Sequence, residues 1–240
     1  MSDDVLGEET RSRLMRASTA SVATALFKRG LRNQVIQGAR PVARKPQTMV
    51  GRAFTLRYIP AREDRNPISV FRDENHPQRA AIEQCPVGHV LVIDSRKDAR
   101  AASAGSILVA RLQMRGCAGV VTDGGFRDAE TIGELDIPAY HVRPSAPTNL
   151  TLHEAIDINV PIGCGDAPVF PGDVIVGDGD GAIAIPAHLA DEVAQECADM
   201  ESFEAFVWES VRDGQSIIGL YPPTREETLK RYEAWRHAKR

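Results

Sequence analysis

Apolar positions in this chain change their spacing from segment to segment. From about Glu9 to Gly30 (ETRSRLMRASTASVATALFKRG), Leu14, Ala17, Val22, Ala25 and Leu26 recur with a loose helical period, which predicts one helix stopped by Gly30. Thr48 to Tyr58 alternates, with Val50, Phe54, Leu56 and Tyr58 on one face, and predicts a strand. The next stretch, Ile59 to Gln78, is rich in Pro, Arg, Asp and Asn and predicts a long loop, of the kind that often lies over a site.

Further on, short continuous apolar runs replace alternation. Val90–Asp94 (VLVID) and Gly119–Thr122 (GVVT) read as strands buried on both faces, and Ile137–Val142 as a third. Between them, Gly105–Arg115 carries a helical pattern ended by Gly116, Asp123–Asp128 (DGGFRD) reads as a loop, and Ala129–Leu135 begins a helix. Strand–helix alternation of this kind predicts an α/β fold with a partly parallel sheet. Val160–Pro186 then carries glycine at 163, 165, 172, 177, 179 and 181 among short β runs, which predicts C-terminal β-hairpins. Helices over about 187–215 and 224–237 complete the chain. The expected layout is a single domain spanning 1–240, with an N-terminal helix (9–30), a core (48–186) and C-terminal helices (187–237).

Composition narrows the class. With 42% hydrophobic and 26% charged residues, the chain can bury a core, and no run reaches the roughly 18 apolar residues of a membrane span. The net charge of −4, from 29 basic and 33 acidic residues, gives no concentrated basic field for nucleic acid. The polar, acidic N-terminus has no secretory pattern. The four cysteines (85, 117, 164 and 197) are spaced 32, 47 and 33 apart, fit no zinc motif, and are expected as free thiols in a reducing cytoplasm. A Walker loop, a GxSxG elbow and HExxH are absent, and GDGDGA after VIV is followed by a strand-like run, so it reads as a hairpin turn.

The chemistry concentrates in Ala104–Glu130. Loops after VLVID and GVVT sit where open α/β sheets bind ligands. The glycines of DGGFRD let backbone approach a ligand closely, and Gly105–Leu108 opens a helix whose free N–H groups suit a carboxylate. Arg127 and Asp128 add a guanidinium and a carboxylate, so a small anion and a hard divalent cation could meet there; a surface ion pair at a helix start is the plain alternative.

The stretches GSILVARLQMRGCAGVVTDGGFRD and VPIGCGDAPVFPGDVIVGDGDGAIAIP resemble the signature of the RraA-like family, which includes class II 4-hydroxy-4-methyl-2-oxoglutarate/4-carboxy-4-hydroxy-2-oxoadipate aldolases and regulators of ribonuclease E. The likeness runs from about Val50 to Gln215. It implies an αββα-type sandwich assembling as a homotrimer or homohexamer. It also implies Asp128 as ligand of Mg²⁺ or Mn²⁺, Arg127 on the substrate's keto oxygen, and the backbone of Gly105, Ile107 and Leu108 on a pyruvate carboxylate. Asp123 and Gly124 match the turn that shapes the pocket. The position after Gly105, usually acidic or an amide in the family, is Ser106, which can hold a water but cannot act as a carboxylate base. An acidic residue from a neighbouring subunit's C-terminal helix would be Glu201 or Glu204.

The loop 62–78 is an elaboration whose Arg62, Arg65, Arg72 and His76 suit a distal carboxylate or hydroxyls. His89 stands where the family has an acidic turn residue, and is expected to serve the turn. The resemblance therefore implies a metal-dependent carbon–carbon lyase on a small 2-keto acid, cleaving a 4-hydroxy-2-keto acid or decarboxylating oxaloacetate, in the cytoplasm, without a nucleic-acid or membrane partner. The alternatives are a non-catalytic regulator of a ribonuclease E-type partner, and a dehydratase or hydrolase step on sugar-acid derivatives.

Overall fold

The computed structural model describes residues 6–43 and 47–239. The N-terminal apolar run forms two helices rather than one, α1 (Glu8–Leu14) and α2 (Thr19–Lys28). The break is at Ser18, whose backbone is extended and whose hydroxyl accepts the Ser21 N–H, so that Ser18 caps α2. After β1 (Arg40–Pro41) comes the long β2 (Met49–Pro60). The predicted loop over 59–78 is only partly irregular: a 3₁₀ turn covers Ile68–Arg72, and α3 (Pro77–Gln84) starts with Pro77, whose missing N–H costs nothing in the first helical turn.

The α/β core follows the predicted alternation: β3 (His89–Asp94), β4 (Ala102–Ala104), α4 (Ser106–Met114), β5 (Gly119–Thr122), β6 (Gly125–Phe126), α5 (Ala129–Gly133), β7 (Ala139–His141) and β8 (Arg143–Pro144). Then come β9 (His153–Ile158), the hairpin β10 (Ile162–Cys164) and β11 (Ala167–Val169), and the hairpin β12 (Val174–Asp178) and β13 (Gly181–Ile185). Two helices, α6 (Ala190–Arg212) and α7 (Glu226–Ala238), complete the described chain. No described helix is long and apolar enough to cross a membrane.

The main sheet runs β1-β7-β5-β3-β2-β12-β13, with β9 also on β2. Its centre, β7-β5-β3-β2, is parallel, and its outer pairings are antiparallel. The segment ahead of β1 bridges the edges: Ile36 N–H donates to Ala182 O at 2.9 Å, Val35 pairs with Ile183, and Arg40 pairs with His141. The sheet thus curls almost into a barrel. Its interior holds Met49, Val90, Val92, Val121 and Tyr140, plugged by Ile162, Cys164 and Val169 of the β10–β11 hairpin. Outside, α3, α4 and α5 pack on Phe54, Leu56, Leu91 and Val120, and α1, α2 and α6 on Val50, Val174 and Ile183. Burial on both faces is why β3 and β5 read as unbroken apolar runs.

A second, smaller sheet, β4-β6-β8, stands at the carboxyl ends of the parallel strands. It positions the candidate site.

Candidate active site

Pairing of β4 with β6 is parallel, so the residues that follow the two strands emerge side by side. Gly105 follows β4, and Arg127 and Asp128 follow β6; the Arg127 N–H donates to Ala104 O at 3.1 Å. Gly105 is the N-cap of α4, and a Cβ there would lie 2.8 Å from Arg127 Cγ and 3.2 Å from Asp128 Oδ2. The close approach of the two loops therefore requires glycine.

Asp128 is left-handed (φ 57°, ψ 39°), a conformation Asp tolerates better than most residues, and it caps α5. That turn aims its carboxylate back at the start of α4. Asp128 Oδ2 accepts from Ser106 Oγ at 3.2 Å and lies 3.5 Å from Ser106 N and 3.8 Å from Arg127 Nε. Arg127 and Asp128 side chains are each about half exposed (49% and 46%), so both remain open to a ligand.

These groups line a cavity of about 310 Å³. Gly105, Ser106, Ile107, Leu108, Arg127 and Asp128 lie together on its wall. Of the helix-start amides, Leu108 N–H already donates to Gly105 O at 3.1 Å. The Ser106 N–H leans on Asp128 Oδ2 at 3.5 Å, so the Ile107 N–H is the amide offered at the α4 N-terminus.

Asp123 and Gly124 do not line this cavity. Asp123 is fully buried and accepts from three backbone N–H groups, Ser95 (2.6 Å), Lys97 (3.0 Å) and Gly165 (3.1 Å), while burial raises its pKa. It ties the loops after β3 and β5 to the β10–β11 hairpin. A Cβ on Gly124 would come within 2.6 Å of Ser95 Cβ and 2.7 Å of Ser103 Oγ. Both residues shape the turn from beneath.

The opposite wall comes from residues that the sequence pattern did not single out: Phe71, Gln78 and Arg79 from the 3₁₀ turn and α3, and Thr148 and Asn149. The Arg79 guanidinium sits 4.5 Å over the Phe71 ring. Gln78 Nε2 donates to Tyr58 Oη and to Ser103 O, pinning α3 to the core. The loop 62–78 does reach the site, but none of the four residues proposed from it does so. Arg62 pairs with Asp64 (2.7 Å), Arg65 with Glu154 (3.5 Å), Arg72 is exposed off the cavity, and His76 is buried edge-on to Phe71, its pKa lowered first by burial and then by Arg79.

Glu201 accepts Ser18 N–H (2.9 Å) and Ser21 Oγ–H (2.8 Å), and Glu204 accepts the Tyr221 hydroxyl (2.6 Å), so within the chain both serve helix packing. The four cysteines are buried thiols. Among the described residues no group of three or more His, Cys, Asp or Glu could hold a metal by itself. A lone carboxylate on an open cavity suits Mg²⁺ or Mn²⁺, hard ions that keep several waters and take remaining ligands from substrate, and does not suit zinc.

Over residues 19–184 the chain matches the family described as RraA-like (Aldolase/RraA). A protein of Halalkalibacterium halodurans, provisionally named a 4-hydroxy-4-methyl-2-oxoglutarate aldolase, is 33% identical over 158 residues, 64% of this chain and 73% of that protein. One of the same provisional name from Ectopseudomonas mendocina is 31% identical over 118 residues, 49% of this chain and 72% of its own. Among solved structures, Streptomyces coelicolor RraAS2, described as an unusual member of the RNase ES inhibitor RraA family, superposes with a TM-score of 0.74 at 28% identity, covering 85% of this chain and 97% of that one.

Proposed function

We propose that this chain, which belongs to the RraA-like family, is a divalent-metal-dependent lyase that cleaves a 4-hydroxy-2-keto acid or decarboxylates oxaloacetate through a pyruvate enolate. The observation that carries this reading is the convergence of Arg127, Asp128, Ser106 and the α4 N-terminus on one cavity.

On this reading the Ile107 amide at the start of α4 and the Arg127 guanidinium take the keto-acid head of the substrate. Arg127 faces the keto oxygen, where negative charge grows as the C3–C4 bond breaks and its electrons move to C2–C3. Asp128 holds Mg²⁺ or Mn²⁺, which when bound supplies Lewis-acid stabilisation of that charge. Ser106 donates its proton to Asp128 Oδ2 (3.2 Å) and keeps its lone pairs for a water, which accepts the 4-hydroxyl proton. The same water returns that proton to C3, giving pyruvate, and the other fragment leaves as a carbonyl compound. Oxaloacetate reaches the same enolate by losing CO₂ and needs no hydroxyl base, so a serine at 106 favours decarboxylation. The protein acts on this reading in the cytoplasm, as a homotrimer or homohexamer, on a small 2-keto acid.

The test is pyruvate release from oxaloacetate and a panel of 4-hydroxy-2-keto acids, with Mg²⁺ and then with EDTA. Metal-dependent pyruvate is the expected result. No pyruvate from any substrate overturns the lyase reading and favours the second one, a regulator of a ribonuclease, which the likeness to the Streptomyces inhibitor supports. A pull-down with a ribonuclease E-type partner tests that alternative directly.

A further inference from the structure

Two of the four cysteines lie against each other, and the lyase chemistry uses neither. Cys85 caps the end of α3, and Cys117 stands between α4 and β5. Their two segments run side by side: Gly88 N–H donates to Gly116 O at 2.8 Å, and Ala118 N–H to His89 O at 2.7 Å. The Cys117 thiol reaches Cys85 O at 3.7 Å, and the Cys85 thiol hydrogen-bonds the Cys117 sulfur. Sulfurs that meet across neighbouring backbone segments are what a disulfide needs.

The pair is asymmetric. Cys85 is sealed from solvent, whereas Cys117 keeps 9% of its surface open. The bond from Cys85 holds the Cys117 thiol below its ordinary range, and the Arg115 charge acts the same way. That bond, and then burial, push Cys85 up. Arg115 stays in place through a bond from Nη2 to Cys85 O at 3.4 Å. The thiolate is the form that attacks, so Cys117 is the nucleophile and Cys85 the resolving thiol. The other two cysteines stand apart: Cys164 spends its S–H on Ile93 O, and Cys197 is pushed up to about 12 by burial first and then by Glu196 and Glu201.

We infer that Cys85 and Cys117 form a redox site that a peroxide closes into a disulfide. The Cys117 sulfur attacks one peroxide oxygen and the O–O bond breaks. The thiol proton leaves with the other oxygen as water, and Cys117 becomes a sulfenic acid. Cys85 then attacks that sulfur: the S–S bond forms, the S–O bond breaks, and hydroxide leaves with the Cys85 proton as a second water. The two thiols lose two electrons between them, and the peroxide gains both. The new bond staples the end of α3, which carries Gln78 and Arg79 of the cavity wall, to the turn between α4 and β5. This inference is independent of the lyase reading.

Peroxide treatment of the native full chain tests it. Remaining thiols are alkylated in denaturant, and tryptic peptides are weighed. Cleavage after Arg79, Arg96, Arg115 and Arg127 puts Cys85 in peptide 80–96 and Cys117 in peptide 116–127. The two peptides should appear joined, two hydrogens lighter than their sum, and should separate in dithiothreitol, while Cys164 and Cys197 are recovered alkylated. Cys85→Ser should leave Cys117 as a sulfenic acid that dimedone traps, and Cys117→Ser should leave Cys85 unoxidised. Closing the loop should raise the Tm of the oxidised chain by about 5–10 °C over the reduced one, a gap that neither variant shows. Peptides recovered unlinked, a bond from Cys85 to another cysteine, or Cys117 driven to sulfonic acid without a link overturns the site. So does an oxidised chain that melts no higher than the reduced one.

Discussion

Ser106 and Asp128, twenty-two residues apart, meet at Asp128 Oδ2, which accepts from the Ser106 hydroxyl at 3.2 Å and from the Ser106 N–H at 3.5 Å. The contact gives the hydroxyl a fixed direction and makes Asp128 its proton acceptor.

Ser106→Asp places a second carboxylate against the first. Without a cation the two repel and raise each other's pKa; with one they share it. The thermal shift induced by Mg²⁺ should therefore grow. Pyruvate from 4-hydroxy-2-keto acids should rise roughly tenfold or more, the gain of a better-placed base, and by more than pyruvate from oxaloacetate does. Equal gains on both substrates would deny position 106 any part in moving the hydroxyl proton.

Asp128→Asn keeps a side chain that accepts the left-handed backbone, so the fold should survive with Tm little changed. The carboxylate charge is lost. Pyruvate formation should fall by at least about a hundredfold, in line with loss of a group that stabilises developing charge, and the Mg²⁺-induced thermal shift should vanish. Retention of that shift would move the metal site elsewhere.

Gly105→Ala drives a methyl into Arg127 Cγ and Asp128 Oδ2. Arg127 must move by about an ångström and Asp128 by a few tenths, and a misplacement of that order costs about a hundredfold in rate. Because Arg127 and Asp128 are half exposed and can swing outward, Tm should drop by only a few degrees. Kinetics and a melting curve on the same preparation separate the two effects; intact turnover with a collapsed Tm would make Gly105 purely structural.

Asp94, at the carboxyl end of β3, has its pKa pushed up to about 6, first by burial and further by the charge of Asp123, against hydrogen bonds that lower it, among them the Arg96 N–H. A carboxyl whose folded pKa lies above its unfolded value of about 3.9 stabilises the fold fully below that value. Its contribution falls away as pH rises from about 4 to about 6. Asp94→Asn should accordingly melt higher than wild type at pH 7, with the gap closing toward pH 4. A gap that stays constant between those limits would mean that Asp94 ionises in the folded chain as it does in the unfolded one.

The α/β alternation was legible because strands buried on both faces leave continuous runs such as Val90–Ile93, and because Gly105, Gly116 and Gly124 sit at turns that tolerate little else. Arg127 and Asp128 stood out as an adjacent opposite pair at a strand end, and the family likeness placed Ser106 beside them. Their meeting at one site was expected from the strand ends; what the sequence did not show is how it comes about, through the pairing of β4 with β6, strands of three and two residues that carry no periodicity. Arg79 was hidden for a related reason. Helix α3 has few apolar positions; the expected loop ended at Gln78, residues 79–84 drew no reading, and attention fell on the arginines before Arg79. The break at Ser18 follows from a hydroxyl bond to the Ser21 N–H that outweighs a weak apolar period. Asn149 left no local signal at all; only burial singles it out.

The curled sheet also governs how the chain is made. Residues 34–41 are made about a hundred or more residues before their partners at Tyr140, His141, Ala182 and Ile183, and β2 finds one of its neighbours at Val174–Gly177. Contacts of such sequence separation are slow to form. Synthesis must run past β13 and into α6 before α1 and α2 can bury their apolar faces, because they pack on those two elements. During that interval β3 can pair with one side of β2, but Met49–Arg52 on its other side stand as an unpaired edge until β12 is made. A ribosome-bound fragment that ends before Gly181 should therefore be captured by chaperones and cut by proteases, while one that reaches the end of α6 should resist both.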